Sequence, residues 1–427
     1  MQELLKTSQP KTIRVILALA LLTSLLLGCA SPTLSLAPSA TGLSPTNTPT
    51  FTPVPTPTVT LIPSPTALPS PTASPTPVPF YLSATVYPGD PQVAVLLYHR
   101  FSPDSAPYST AVKTRLGDFR AHLQRLFEAG YSLIPLADWL NGKMVLPAGR
   151  RPLILTMDDL FFADQIYLEE DGTPSIDSGI GELWAFSQTH PDFGFSVALF
   201  ATLGDKYYAN ARQNGHFVLG KNWEDSLAKV IVWCIEHNAM PYNHTYNHPR
   251  LDLTPGDKLL WELKKNDDTL LSYLDRAGRP DLATRLDNLL ALPFSIWPAS
   301  DAGKKLIEGY VSPRGKPLQA IFEADYHYRP KYMPAPYQTT FDRFHLPRME
   351  GLNGAITLLE TKKDLFPTVS ACQVGPLDQT RQGDPGYLAS QVTGMVGQGK
   401  CPQGVYVLGG YLFRAGANET QKIKISP

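Results

Sequence analysis

Between residues 31 and 80 the chain carries 14 prolines, 12 threonines and 7 serines, and from Val15 to Gly89 it has no charged side chain. Proline fixes φ and brings no backbone donor, so such a span sustains neither a helix nor a β-ladder. Its apolar content is too sparse to offset the entropy of ordering it. The 427 residues therefore divide unequally: a leader over 1–28, a disordered Pro/Thr/Ser-rich tether over 29–85, a folded domain over 86–360 and a smaller β-rich extension over 361–427. The 37 Lys+Arg against 38 Asp+Glu leave no basic excess of the kind that binds nucleic acid. Four cysteines are too few for a disulfide scaffold in a chain of this length.

Lys6, Lys11 and Arg14 precede an apolar run from Val15 to Leu27. The run falls short of the roughly 20 residues of a membrane span and has the form of a signal-peptide core. It ends Leu26-Leu27-Gly28-Cys29, which resembles the lipobox of bacterial lipoproteins, with Leu27 in place of the usual small or β-branched residue. The resemblance implies lipidation at Cys29 and an extracytoplasmic protein anchored to the cell membrane, since two acyl chains give stable anchoring. A plain signal peptide or an uncleaved anchor are the alternatives.

From Val86 onward, buried strands alternate with amphipathic helices. Val93-Ala94-Val95-Leu96-Leu97-Tyr98 and Leu153-Ile154-Leu155-Thr156-Met157 are continuous apolar runs, the mark of strands covered on both faces. Phe195 to Ala201 and Ala291 to Trp297 are further strand candidates. Phe119, Leu123, Leu126 and Phe127 form a helical stripe that Gly130 ends. Leu260, Leu263, Leu270, Leu271 and Leu274 form another, with some drift. This alternation predicts an α/β fold with a parallel sheet or barrel, whose chemistry belongs at the carboxyl ends of the strands.

Asp158-Asp159 closes one such strand. Two adjacent carboxylates are costly to bury without a cation, although an Asp pair also serves as a helix cap or a solvated turn. His244-Thr245-Tyr246-Asn247-His248 places two imidazoles four residues apart, on one side of a helix or tight turn. It lacks the Glu that follows the first His on a zinc-protease helix. One carboxylate oxygen and two imidazole nitrogens suit a divalent metal with open positions for water.

Taken in order, Tyr98-His99-Arg100, Thr156-Met157-Asp158-Asp159 and His244-Thr245-x-x-His248 resemble the motifs of the NodB-type polysaccharide deacetylases (carbohydrate esterase family 4), over roughly 86–351. The resemblance implies a distorted (β/α) barrel with fewer than eight strands. It also implies a divalent metal, zinc first with cobalt, nickel or manganese as alternatives, and an N-acetylated glycan as substrate. By the same resemblance Asp158 is the general base and Asp159, His244 and His248 are the metal ligands. The implied activity is metal-dependent removal of N-acetyl groups, a carbon–nitrogen hydrolysis.

Several residues depart from the family pattern. Met157 stands for a Phe and Leu160 for a Gly, and the stretch 161–192 is long. Leu292-Pro293-Phe294-Ser295-Ile296-Trp297 occupies the place of a motif whose Arg and Gly it lacks. Arg348, in Leu346-Pro347-Arg348, is the candidate to replace that Arg beside the base. No Leu-x-His supplies the usual acid catalyst, leaving His345 and His327 as candidates by location, while His99 either lines the site or holds loops together. These departures keep two other readings open: a catalytically impaired glycan-binding protein on the same fold, and an amidase or esterase acting on a non-glycan substrate. Cys372 and Cys401 bracket a Gly- and Gln-rich stretch and form a disulfide in an exported protein, two free thiols being the alternative.

Overall fold

The computed structural model describes residues 78–204, 208, 222–325 and 332–425. The leader, Cys29, the tether up to residue 77, and His327 lie outside the described residues. The chain divides into two units between Ser74 and Pro75, and all described residues belong to the second.

The first strands are β1 (Phe80–Tyr87), β2 (Gln92–Tyr98), β3 (Arg100–Ser102), β4 (Lys113–Arg115), β5 (Tyr131–Leu133), β6 (Arg151–Leu160), β7 (Val197–Ala201) and β8 (Ala239–Asn243). They are followed by β9 (Leu289–Ala291), β10 (Ala320–Asp325), β11 (Met333–Pro334), β12 (Leu346–Glu350), β13 (Ser370–Leu377), β14 (Gly404–Leu408), β15 (Tyr411–Ala415) and β16 (Thr420–Ile423). The helices are α1 (Leu116–Glu128), α2 (Leu136–Leu140), α3 (Gly179–Thr189), α4 (Trp223–Glu236), α5 (Gly256–Arg276), α6 (Asp301–Glu308), α7 (Asn353–Thr361) and α8 (Pro385–Gly397).

Strands β2, β12, β10, β9, β8, β7 and β6 pair in that order, and β6 returns to β2. Every pairing around this ring is parallel. The result is a closed α/β barrel with fewer than eight strands in the ring, on which β5 and β11 add short outer pairings to β6 and β2. The alternation of strand side chains explains the continuous apolar runs. Val93, Val95, Ile154, Phe200 and Tyr242 share one cluster inside the ring, whereas Ala94, Leu96, Leu153, Leu155, Met157 and Leu199 pack outward with the apolar stripes of α1, α3 and α4.

Two segments differ from the sequence expectation. The first strand begins at Phe80, ahead of the boundary expected near Val86: β1 is free of proline and inserts between β13 and β14 in a second, five-stranded sheet. The C-terminal segment is therefore not built from its own residues alone, and α8 packs with β1 and β13–β15 in one apolar cluster. Cys372 and Cys401, on β13 and before β14, are disulfide-bonded, with Cα atoms 5.7 Å apart. The second difference is at 291–297. Only Leu289–Ala291 is strand, and Phe294 and Ser295 have φ of 55° and 53°, two consecutive left-handed residues that turn the chain out of the extended conformation. No described helix is long and apolar enough to cross a membrane.

Candidate active site and metal centre

The inward register of four strands runs straight into the site. On β6, Ile154 faces the interior, and Thr156 and Asp158 follow two and four residues on; on β2 the same parity leads from Val95 to His99; on β12 it leads from Leu346 to Arg348 and Glu350; on β8 it leads from Tyr242 to His244. Asp158, His244 and Arg348 are almost fully buried, at 3%, 2% and 1% exposure.

Asp159 breaks this alternation. Its φ is 60°, and the β6–β7 register shifts between Met157 and Leu160. A bulge of this kind re-aims a side chain, and here it lets both neighbouring acids reach His244. His244 Nε2 lies 3.7 Å from Asp158 Oδ2 and 3.6 Å from Asp159 Oδ1, and His248 Nε2 lies 3.3 Å from the same Asp159 oxygen. The His244–His248 segment is a loop, with Thr245 and His248 at φ of 65° and 52°.

One donor atom from each of Asp159, His244 and His248 lies within 4.8 Å of the others. His244 Nδ1 donates to the Ala291 carbonyl at 2.9 Å, which leaves Nε2 facing the carboxylates. Such an outer bond is how metal-binding imidazoles are oriented. Two nitrogens and one carboxylate oxygen form the donor set of an open catalytic zinc site, so the residues fit a divalent cation.

Asp158 stands outside this set, clamped from behind. Arg348 donates from both terminal nitrogens to its two oxygens, at 2.6 and 2.7 Å. Burial works to raise the Asp158 carboxyl, but the charges of Arg348 and then His244 outweigh it and hold it below the usual carboxylate range. Burial opposes ionisation of Asp159 as well, and the hydrogen bond and charge of His244 overcome it. His248 is pushed down to about 4 by burial and by the neighbouring His244, so it is a neutral imidazole with a free lone pair at physiological pH. Its ring edge meets Phe294 at 4.4 Å, the exposed residue of the left-handed turn.

His345 and His99 occupy different surroundings. His345 is half exposed and bonds Glu323 at 3.0 Å, with Trp297 against its ring at 4.9 Å. His99 is buried at the end of β2, its Nδ1 3.2 Å from the Ala111 carbonyl. Burial lowers its pKa, and it feels the charges of Asp158, Asp159, Arg348 and His244.

Two supporting residues escaped the sequence reading. Gln165, fully buried, donates to the carbonyls of His99 and Asp158 and accepts from the Phe162 N–H, tying the β2 and β6 ends together. Glu350 is buried with neither carboxylate oxygen hydrogen-bonded, 3.9 Å from His99 Nδ1. The signal for Glu350 was its spacing, since two residues beyond Arg348 on a strand is the same face.

Burial pushes Glu350 from 4.5 up to about 7. A raised carboxyl favours the folded state below its unfolded pKa, and that benefit is lost as pH rises through about 7. The loss is about 3 kcal/mol. Glu350→Gln is therefore expected to raise the melting temperature of metal-free protein at pH 8 and leave it nearly unchanged at pH 4. Parallel melting curves for the two proteins across that range would contradict this.

No protein-family model and no curated protein sequence matches the chain. Among solved structures it is similar to the deacetylase PplD of Streptococcus pyogenes, solved with acetate, at 15% identity, covering 64% of this chain and 99% of that one with a TM-score of 0.39. A polysaccharide deacetylase of Bacillus cereus is similar at 14% identity over 64% of this chain and 70% of that one, with a TM-score of 0.41. IcaB of Ammonifex degensii is similar at 14% identity over 64% and 97%, with a TM-score of 0.38. At such identities and scores the similarity assigns no residue a role.

Proposed function

We propose that the protein is a divalent-metal-dependent hydrolase that removes N-acetyl groups from a glycan. The observation that carries this reading is the buried Arg348–Asp158 pair set directly beside the Asp159–His244–His248 donor set. A cation held by those three side chains would polarise an amide carbonyl and acidify a water. Asp158, ionised and without a place in the donor set, takes the proton of the attacking water. Arg348 fixes the rotamer of that base through two hydrogen bonds, so no reorganisation is needed when the proton moves. A cation held there would take the place of any proton on the site-facing nitrogens of His244 and His248.

Amide cleavage also needs a proton delivered to the departing nitrogen. His99, at the end of β2, and His345, beside Glu323, are the two candidates for this step. His99 sits in the field of both acids, whereas the partners of His345 are Glu323 and Trp297. The exposed ring of Phe294 beside His248 provides an apolar face for a sugar next to the reacting group. The extracytoplasmic location and the lipid anchor at Cys29 belong to this proposal too, because they place the enzyme where wall and surface glycans are found.

The test is acetate release from N-acetylglucosamine oligomers and from wall glycans. Activity is expected with zinc, lost on chelation and restored by adding the ion back. Tight glycan binding with no acetate released under any divalent ion would overturn the hydrolase in favour of a binding protein. Release from simple acetamides or acetyl esters alone would shift the substrate away from glycans.

A further inference from the structure

The buried face of α5 contains an anomaly. Leu259, Leu263, Leu270 and Leu274 form its apolar stripe, but Glu262, Asn266 and Asp267 interrupt it at 1%, 1% and 8% exposure. The drift in the leucine pattern comes from these three residues, since Leu260 and Leu271 are only partly buried. Buried polar groups of this kind are costly unless each finds a partner. Each does, and the partners converge on one place.

Glu262 accepts from the backbone N–H and the side-chain amide of Asn247, at 2.8 and 2.9 Å. Asp267 accepts from the Asn243 amide at 2.8 Å and from the Tyr310 hydroxyl at 2.8 Å. Asn243 in turn accepts the Thr245 N–H at 2.8 Å. Asn266 donates to the Ala201 carbonyl at 2.9 Å and accepts the Leu203 N–H at 2.9 Å. That same Ala201 carbonyl receives the His244 N–H at 3.1 Å. The helix thus holds residues 243, 245 and 247, directly or through one step, and steadies the strand end on which His244 rests. The loop it holds includes two non-glycine residues in the left-handed region, Thr245 and His248. Such conformations persist only where surrounding contacts over-determine them.

We propose that Glu262, Asn266 and Asp267 are positioning residues that pre-set the imidazoles of His244 and His248 for the cation, through the backbone of the loop that carries them. The inference rests on the metal-centre reading above, and it locates the rigidity of that centre in a helix outside the barrel rather than in the ligands.

The experiment titrates Zn²⁺ into chelator-stripped full-length protein, with a parallel Co²⁺ absorption spectrum and a thermal melt. It compares wild type, Glu262→Ala, Glu262→Gln and Asn247→Ala. Glu262→Ala and Asn247→Ala are each expected to weaken zinc binding about 10- to 100-fold, the usual cost of losing an outer partner of a metal ligand, and to alter the cobalt spectrum. Glu262→Gln, which keeps an acceptor for the Asn247 N–H, is expected to recover most of the affinity. Asn247 is exposed, so its variant decides the matter if Glu262→Ala does not fold. Wild-type affinity and spectrum in the folded variants would overturn this inference alone. Failure of the wild type to bind either ion would overturn the metal centre and the inference together.

Discussion

Asp158→Asn is expected to reduce acetate release by about 10²- to 10⁴-fold, the usual contribution of a positioned general base, while zinc binding stays near the wild-type value. The two expectations separate because Asp158 and Asp159 do different work from adjacent positions. Asp159 offers an oxygen that both imidazoles face, at 3.3 and 3.6 Å. Both oxygens of Asp158 are engaged by Arg348. Asparagine keeps the shape and still accepts one guanidinium N–H, but it has no basic oxygen with which to take a proton. Acetate release and zinc titration on the same preparation check this. A variant that retains a tenth or more of the activity would remove Asp158 from the base role. One that loses the metal as well would make it a ligand.

Arg348→Met is expected to be the most destabilising single change in the site, at about 3–5 kcal/mol, because it leaves a buried carboxylate without its cation. The pH dependence gives the sign. With Arg348 present, Asp158 is held below its ordinary pKa. It then contributes stability at pH values above its unfolded pKa, and that stability fades as acid protonates the folded state. Without Arg348 the burial that already opposes ionisation has less to overcome, so the carboxyl moves up and the variant is penalised most where Asp158 must be charged. Urea unfolding of metal-free protein at pH 5 and pH 8 should therefore show the larger deficit at pH 8. A loss below about 1 kcal/mol, the size of an exposed ion pair, or an equal loss at both pH values would show that the pair is not the anchor of the site.

Much of this architecture was legible in the sequence for a simple reason. In a closed parallel ring both faces of each strand are covered, so β2 and β6 appear as unbroken apolar runs, and the first polar residues after them mark the end where chemistry gathers. Asp158 and Asp159 were found that way, and His244 and His248 by their four-residue spacing. The bend that brings Asp159 alongside its neighbour was not, since it depends on a left-handed φ of 60° at an aspartate, a backbone state that residue type does not dictate. Strand β1 was hidden because it continues the uncharged composition of the tether, and only the absence of proline from Phe80 to Tyr87 separates the two. The polar positions of α5 looked like imperfect amphipathicity, because helical periodicity shows which side is buried but not what waits there. The acid catalyst was sought late in the chain by motif position. The strand parity that carries Val95 to His99 adds the end of β2 as a second place for it.

Zinc titration of stripped wild-type protein beside Asp159→Ala, His244→Ala and His248→Ala variants tests the shared cation most directly. The expected result is one ion per chain in the wild type, with each variant losing most of its affinity while remaining folded. Wild-type protein that takes up no ion, or a His244→Ala/His248→Ala double variant that binds as tightly as the parent, would contradict it.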